Sequence, residues 1–278
     1  MISLLIKNVT TKQLLLLLML AMMSIGSVKA QKFSLGVKAG PLVLWSAYAD
    51  EFDGRNIDNK LKFGYYGAGL ISFPLKNNYS CVIEGGFSQK GRNVRFGGNQ
   101  NYATYNFIDA ALLLRRSFKF NLGKNIPATW FANIGPHISY WLGGKGTVGS
   151  IGNDGTKYKI QFVDSLLATH TDFNTLYMVD ANRWLFGADI GVGMTAPIKS
   201  TQRILVELRF TWGHTFYGGL TSANYNWIEF SDRNMRANER VISFTVAYLW
   251  DFDLKERKKG RSNKDKEVNR KPVKKKRR

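Results

Sequence analysis

The sequence predicts an all-β protein: an eight-stranded, antiparallel up-and-down transmembrane β-barrel with a cleavable signal peptide before it and a disordered basic C-terminal tail after it. Three observations carry that expectation. In the stretch Arg240–Phe252, Ile242, Phe244, Val246, Tyr248, Trp250 and Phe252 alternate with Val241, Ser243, Thr245, Ala247, Leu249 and Asp251. Period-two alternation describes a strand whose two faces meet different surroundings. Earlier segments repeat the pattern at lengths that suit a tilted strand crossing a bilayer, about 9–11 residues. The connections between them alternate long and short, as in barrels with short periplasmic turns and long outer loops.

The two ends carry most of the charge. Net charge is +20 over 278 residues, but Lys255–Arg278 holds fourteen Lys/Arg against three Asp/Glu. Residues 1–30 add Lys7, Lys12 and Lys29, which leaves residues 31–254 with a modest excess. The basicity is therefore no argument for nucleic acid. Lys7 and Lys12, the apolar run Leu14–Met23, and Val28 and Ala30 at positions −3 and −1 form the plan of an export signal cleaved after residue 30. That divides the chain into 1–30 (signal), 31–254 (barrel) and 255–278 (tail). With one cysteine, Cys81, the chain has no internal disulfide and no cysteine-based metal cluster.

Taken in order, the first strand is Phe33–Trp45, with Phe33, Leu35, Val37 and Ala39 on one face. Tyr48–Lys60 reads as a loop. Leu61–Phe73 alternates, although composition does not separate its two faces. Tyr79–Lys90 sets Cys81, Ile83, Gly85 and Phe87 against Val82, Glu84, Gly86, Ser88 and Lys90, and a Gly/Asn-rich loop follows to Asn101. Tyr102–Phe120 sets Ile108, Ala110, Leu112 and Leu114 against Asp109 and Arg115. Ile126–Leu142 sets Trp130, Ile134, Ile138 and Tyr140 against Asn133, His137 and Ser139. Gly143–Arg183 reads as the longest loop, its glycines as hinges. Trp184–Ala196, Arg203–Tyr217 and the closing strand complete the set, with Gly218–Glu239 as the last loop. An even count places both termini in the periplasm, with the protein in the outer membrane.

Parity then sorts the charges. One face of these strands carries Lys38, Lys90, Arg115 and Arg209 together with Glu84, Asp109, Asp189 and Glu207. Four of each sign suits a narrow interior, because an unpaired charge in a dry space is costly. The opposite faces are nearly free of charge through their middles, the reverse of a water-soluble sandwich. Eight strands leave room for side chains and none for an aqueous channel.

The runs SLGVKAGP, YYGAGLISFPL, VIEGGFSQKGRN, FIDAALLLRRSF, ANIGPHISYWLGGKG, FGADIGVGM, LVELRFTWGHTF and FTVAYLWDF, in that order, resemble the PorT-like outer-membrane β-barrel family. The resemblance covers roughly residues 32–252. Asp109-Ala110-Ala111 stands where members commonly carry a proline, and the 143–183 insertion and basic tail are extra. The resemblance implies outer-membrane location and, through the founding member, an accessory role in type IX secretion.

Candidate chemistry is sparse. His137 projects inward by parity as a packed or charge-paired histidine. His214 sits on the outer parity. Ser165, His170 and Asp172 in the long insertion are the residues from which a rim-active hydrolase or acyl-modifying enzyme would be built, but no spacing orders them. No metal or cofactor motif is present. The leading expectation is a non-enzymatic scaffold or accessory of an envelope assembly. The alternatives are that rim enzyme and a surface ligand binder using 143–183. Expected partners are outer-membrane lipid, other envelope or secretion proteins, and an anionic periplasmic partner for the tail; nucleic acid is excluded by export.

Overall fold

The computed structural model describes residues 32–49, 58–96, 98–122, 126–150, 155–165, 172, 174–219, 223–224 and 235–253. The expected signal, the tail and His170 lie outside them. All regular structure among the described residues is β: β1 (Lys32–Tyr48), β2 (Asp58–Lys60), β3 (Lys62–Pro74), β4 (Tyr79–Phe96), β5 (Asn99–Leu122), β6 (Ile126–Ser150), β7 (Thr156–Val163), β8 (Thr175–Val179), β9 (Trp184–Lys199), β10 (Gln202–Gly213), β11 (Ala223–Asn224) and β12 (Ala237–Asp253). Hydrogen bonding runs β6-β5-β4-β3-β1-β12-β10-β9, and β9 pairs back onto β6. Eight strands thus close a ring, as the alternation predicts. Its described pairings β1–β3, β3–β4, β4–β5, β5–β6, β6–β9, β9–β10 and β10–β12 are antiparallel.

Local chemistry explains the joints. Asn77 and Asn78 both take positive φ in the turn from β3 to β4, a conformation that asparagine tolerates and that matches the twist of a hairpin. Between Asn106 and Phe107 the β5–β6 register shifts, pairing Asn106 with Gly143 but Phe107 with Trp141. Leu142 is the extra residue of that bulge.

Five expected boundaries are corrected. The presumed loop before Asn101 is the end of β4 and the start of β5, with Gly98 at positive φ just before β5. The presumed loop 143–183 holds the last third of β6 and all of β7 and β8, so Gly143, Gly144, Gly146 and Gly149 are strand residues rather than hinges. Tyr48–Lys60 contains β2, and Gly218–Glu239 contains β11 and the start of β12, while β10 stops at Gly213. In the four presumed loops the physical reason is shared: backbone pairing continues where side-chain contrast has faded. Strand β10 instead ends early, because His214 and Thr215 both donate to the one carbonyl of Phe186. On the long-loop side β4, β5 and β6 rise past the ring as one wall, extended by β7, β8 and β11 and flanked by β2.

The outside of the ring is apolar. Ile134, Ile190, Val192, Leu208, Phe244 and Val246 are about half exposed. Aromatic side chains flank this belt, with Trp130 and Trp250 toward the short turns and Tyr140, Trp184 and Trp212 toward the long loops. Ten residues separate Trp130 from Tyr140, which pairs with Trp184. Ten also separate Trp250 from Arg240, the partner of Trp212.

Inside, three layers stack. Toward the short turns, Leu70, Val82, Leu113, Phe131, Leu205 and Leu249 pack together. Charged groups fill the middle. At the long-loop end Tyr105, Phe107, Trp141, Tyr158, Met178 and Tyr217 form an aromatic-rich cluster. Trp141 and Tyr217 meet edge to face at 5.4 Å, an arrangement that favours ring quadrupoles.

Candidate functional site

Each of the eight charged residues assigned inward by parity is buried: Lys38, Glu84, Lys90, Asp109, Arg115, Asp189, Glu207 and Arg209. They come from five strands: β1 supplies Lys38, β4 Glu84 and Lys90, β5 Asp109 and Arg115, β9 Asp189, and β10 Glu207 and Arg209. The middle layer is completed by β6 with His137 and β12 with Glu239.

Arg209 is the hub of the lower half. Its two terminal nitrogens donate to the two oxygens of Glu84 at 2.8 and 2.9 Å, and Nε donates to Glu207 at 2.6 Å. Such a fork-to-fork pair fixes geometry as well as charge. Asp189 accepts from Arg209 at 3.2 Å and from the Thr211 hydroxyl at 2.6 Å. Lys38 donates to Glu84 at 3.0 Å and lies 3.5 Å from Glu207. Arg115 is held more loosely, with Nη2 3.5 Å from Glu207 but without a hydrogen bond there, and its guanidinium over the Phe131 ring at 4.1 Å.

The upper half centres on Lys90, which donates to Glu239 at 2.7 Å, Ser139 at 3.2 Å and Asp109 at 3.4 Å. Tyr217, just past β10, donates to Glu239 at 3.0 Å. Burial, reinforced by that carboxylate, holds the Tyr217 phenol well above its ordinary pKa, so it remains a donor. His137 joins the halves, with Nδ1 3.2 Å from Asp189 and Nε2 2.9 Å from Ser139.

Ser139, His137 and Asp189 therefore share the connectivity of a nucleophile, base and orienting acid. The chemistry does not follow. The Ser139 hydroxyl donates to Asp109, so it offers His137 a lone pair rather than a proton to abstract. The cavities bordering this trio measure about 20 and 10 Å³, too small for a substrate, and Ser139 has no exposed surface. The trio is a packed polar core. Of the rim candidates, Ser165 and Asp172 are described and His170 is not. Among the described residues no cluster of three or more His, Cys, Asp or Glu could hold a metal.

Parity missed Lys62, Arg92 and Glu239, all buried. Arg92 and Glu239 share the inward parity of Lys90 and Val241, but both sit in stretches read as loops. Lys62 lies on the strand whose faces composition did not separate.

Outside the ring, residues of the wall line a cleft of about 850 Å³, bordered by Tyr102, Thr104, Lys145, Thr147, Lys157 and Lys159. The insertion expected to be loop thus supplies most of a surface site, on strands.

Solved structures of similar shape are outer-membrane proteins at low identity. OprG of Pseudomonas aeruginosa is 10% identical, with a TM-score of 0.45, covering 79% of this chain and 95% of its own. A major outer membrane protein of Thermus thermophilus is 11% identical (TM-score 0.41; 80% and 98% covered). Ail, the attachment invasion locus protein of Yersinia pestis, is 9% identical (TM-score 0.35; 79% and 98% covered). No curated protein sequence matches the chain. Residues 29–215, well over half of the sequence, match the family described as outer membrane protein beta-barrel domain, and the chain belongs to that family.

Proposed function

We propose that the protein is a non-enzymatic, integral outer-membrane barrel serving as a scaffold or accessory of an envelope assembly, its specific form being the type IX secretion role implied by the PorT-like resemblance. The observation that supports this reading most is the inversion of polarity: Ile134 and Ile190 are more than half exposed while Glu84 is 1% exposed. Water as the outer solvent would make that arrangement unstable; lipid makes it favourable. The belt has a matching height. Ten residues at about 3.3 Å each, tilted about 40°, rise about 25 Å, the thickness of the apolar band of such barrels.

The packed interior argues for structure over transport, since its charges are bound to one another and its upper end is filled by aromatic rings. The wall on the long-loop side would then be the docking surface for other envelope or secretion proteins. Residues 1–30 would direct export, both termini would be periplasmic, and residues 255–278 would tether an anionic periplasmic partner. Deleting the gene and measuring secretion of surface cargo, with co-purification from detergent-solubilised membranes, tests the accessory role. Unchanged secretion and no co-purifying envelope protein would refute it.

A further inference from the structure

The cleft on the wall carries chemistry that a structural barrel does not need. Lys145 on β6 stands directly opposite Lys159 on β7, and Thr147 opposite Lys157. Like charges facing across a strand pair destabilise it. None of these three lysines makes an ion pair among the described residues, and among those residues Asp172 is the one carboxylate lining the cleft. Beside them, Thr104 pairs with Lys145 and Tyr102 with Thr147. Tyr102 is 45% exposed even though the Lys62 ammonium covers its ring at 3.3 Å. An excess of cations with hydroxyls and an open aromatic edge suits a ligand that is both anionic and rich in hydroxyls. The volume fits a sugar-sized group rather than a lone ion.

Position narrows the source. Tyr102 and Thr104 share the parity of Ile108 on β5, so the cleft opens from the same face that bears the apolar belt lower down. It looks sideways over the membrane, not up the ring axis. Thr104 lies four residues before Ile108, whose partner is Tyr140 at the upper edge of the belt. Four residues of tilted strand rise about 10 Å, which is headgroup depth.

We propose that this cleft holds the phosphorylated saccharide headgroup of a lipid lying in the outer leaflet beside the barrel. Lys145, Lys157 and Lys159 bind its phosphates as point charges, and Tyr102, Thr104 and Thr147 contact the sugar. The inference rests on the barrel reading for the side of the membrane that the cleft faces.

The test uses the full-length mature protein in nanodiscs of zwitterionic phospholipid containing either phosphorylated lipid A or its dephosphorylated form, with bound glycolipid measured by native mass spectrometry. Wild type should prefer the phosphorylated form, and K145Q/K157Q/K159Q should lose about tenfold or more of that affinity, as losing three charge contacts would require. The triple Lys→Arg variant should retain it. Equal binding by wild type and the Gln variant, or indifference to phosphate, overturns the proposal. So does a Gln variant that loses affinity for soluble dextran sulfate but not for the glycolipid, because the ligand would then be a free polysaccharide. Gel mobility before and after boiling is recorded on every sample. A wild type without a mobility shift refutes the barrel itself, whereas a shift preserved in the Gln variant isolates the cleft.

Discussion

Glu207→Leu tests whether the interior charges hold one another. Glu207 is 1% exposed and faces three cations, Arg209 at 2.6 Å and Lys38 and Arg115 at 3.5 Å. Its loss does not affect them equally. Arg209 and Lys38 keep Glu84, and Arg209 also keeps Asp189. Arg115 keeps no carboxylate within ion-pair distance among the described residues. The variant therefore buries one uncompensated guanidinium, a change that costs about 3–5 kcal/mol. At a slope of about 2 kcal/mol per molar, the urea midpoint falls by about 1.5–2.5 M. Reversible urea unfolding in lipid vesicles, followed by tryptophan fluorescence and gel mobility, reads this directly. Adding Arg115→Met to Glu207→Leu removes the stranded charge, so the double variant should be more stable than the single one. An unchanged midpoint for Glu207→Leu refutes the dry interior. A double variant less stable than the single refutes the assignment of Arg115 as the stranded partner.

Other outcomes follow from the same architecture. The mature protein should remain in the outer-membrane fraction through high-salt and carbonate washes and shift in mobility on boiling; release by carbonate would mean a peripheral protein. A Cβ at Gly40 would lie 1.9 Å from the backbone oxygen of Phe244, whereas one at Gly67 meets nothing within 4 Å. Gly40→Ala should therefore depress the folded fraction on gels and Gly67→Ala should not, and equal yields would contradict the close β1–β12 approach. In a Cys81→Ser background, an impermeant maleimide on intact cells should label Lys157→Cys and spare Ser200→Cys; labelling of Ser200→Cys would invert the proposed orientation. Deleting 255–278 should leave the mobility shift intact and abolish a salt-sensitive periplasmic association, since exposed charges are screened beyond about 8 Å at physiological salt. A truncated protein that keeps its partners ends the tether proposal.

The sequence was most readable where lipid-facing and interior residues contrast. Strand β12 announces itself because large apolar side chains alternate with small or polar ones, and the same alternation puts Glu84 and Arg209 on the inward side. Contrast fades above the belt. There Gln89 and Asn106 bond to each other on the outer face, so polar residues occupy both sides and the strand looks like loop. Glycines make matters worse: Gly143, Gly144 and Gly146 show no side chain to alternate, and the bulge at Leu142 resets parity in the same place. Pairing partners were illegible for a different reason. His137 meets Asp189 of β9 and Ser139 of its own strand, and Lys90 of β4 meets Glu239 of β12. Those meetings depend on the stagger of strands around the ring, which no single segment encodes.

The closeness of β1 and β12 has a kinetic consequence. Ser34 donates to Asp251 across 217 positions of sequence, and the Phe33 and Phe252 rings stack at 5.0 Å. The seam that completes the ring thus joins the first of the ring's described strands to the last. Local hairpins such as β3–β4 and β9–β10 can form early, but closure must await the whole chain, and such long-range pairing is slow. Until then β1 and β12 present unpaired backbone edges that lipid cannot satisfy. Insertion is consequently coupled to completion. A chain ending before Ala237 would be left not as a smaller barrel but as an open seven-stranded sheet, a substrate for quality control rather than for the membrane.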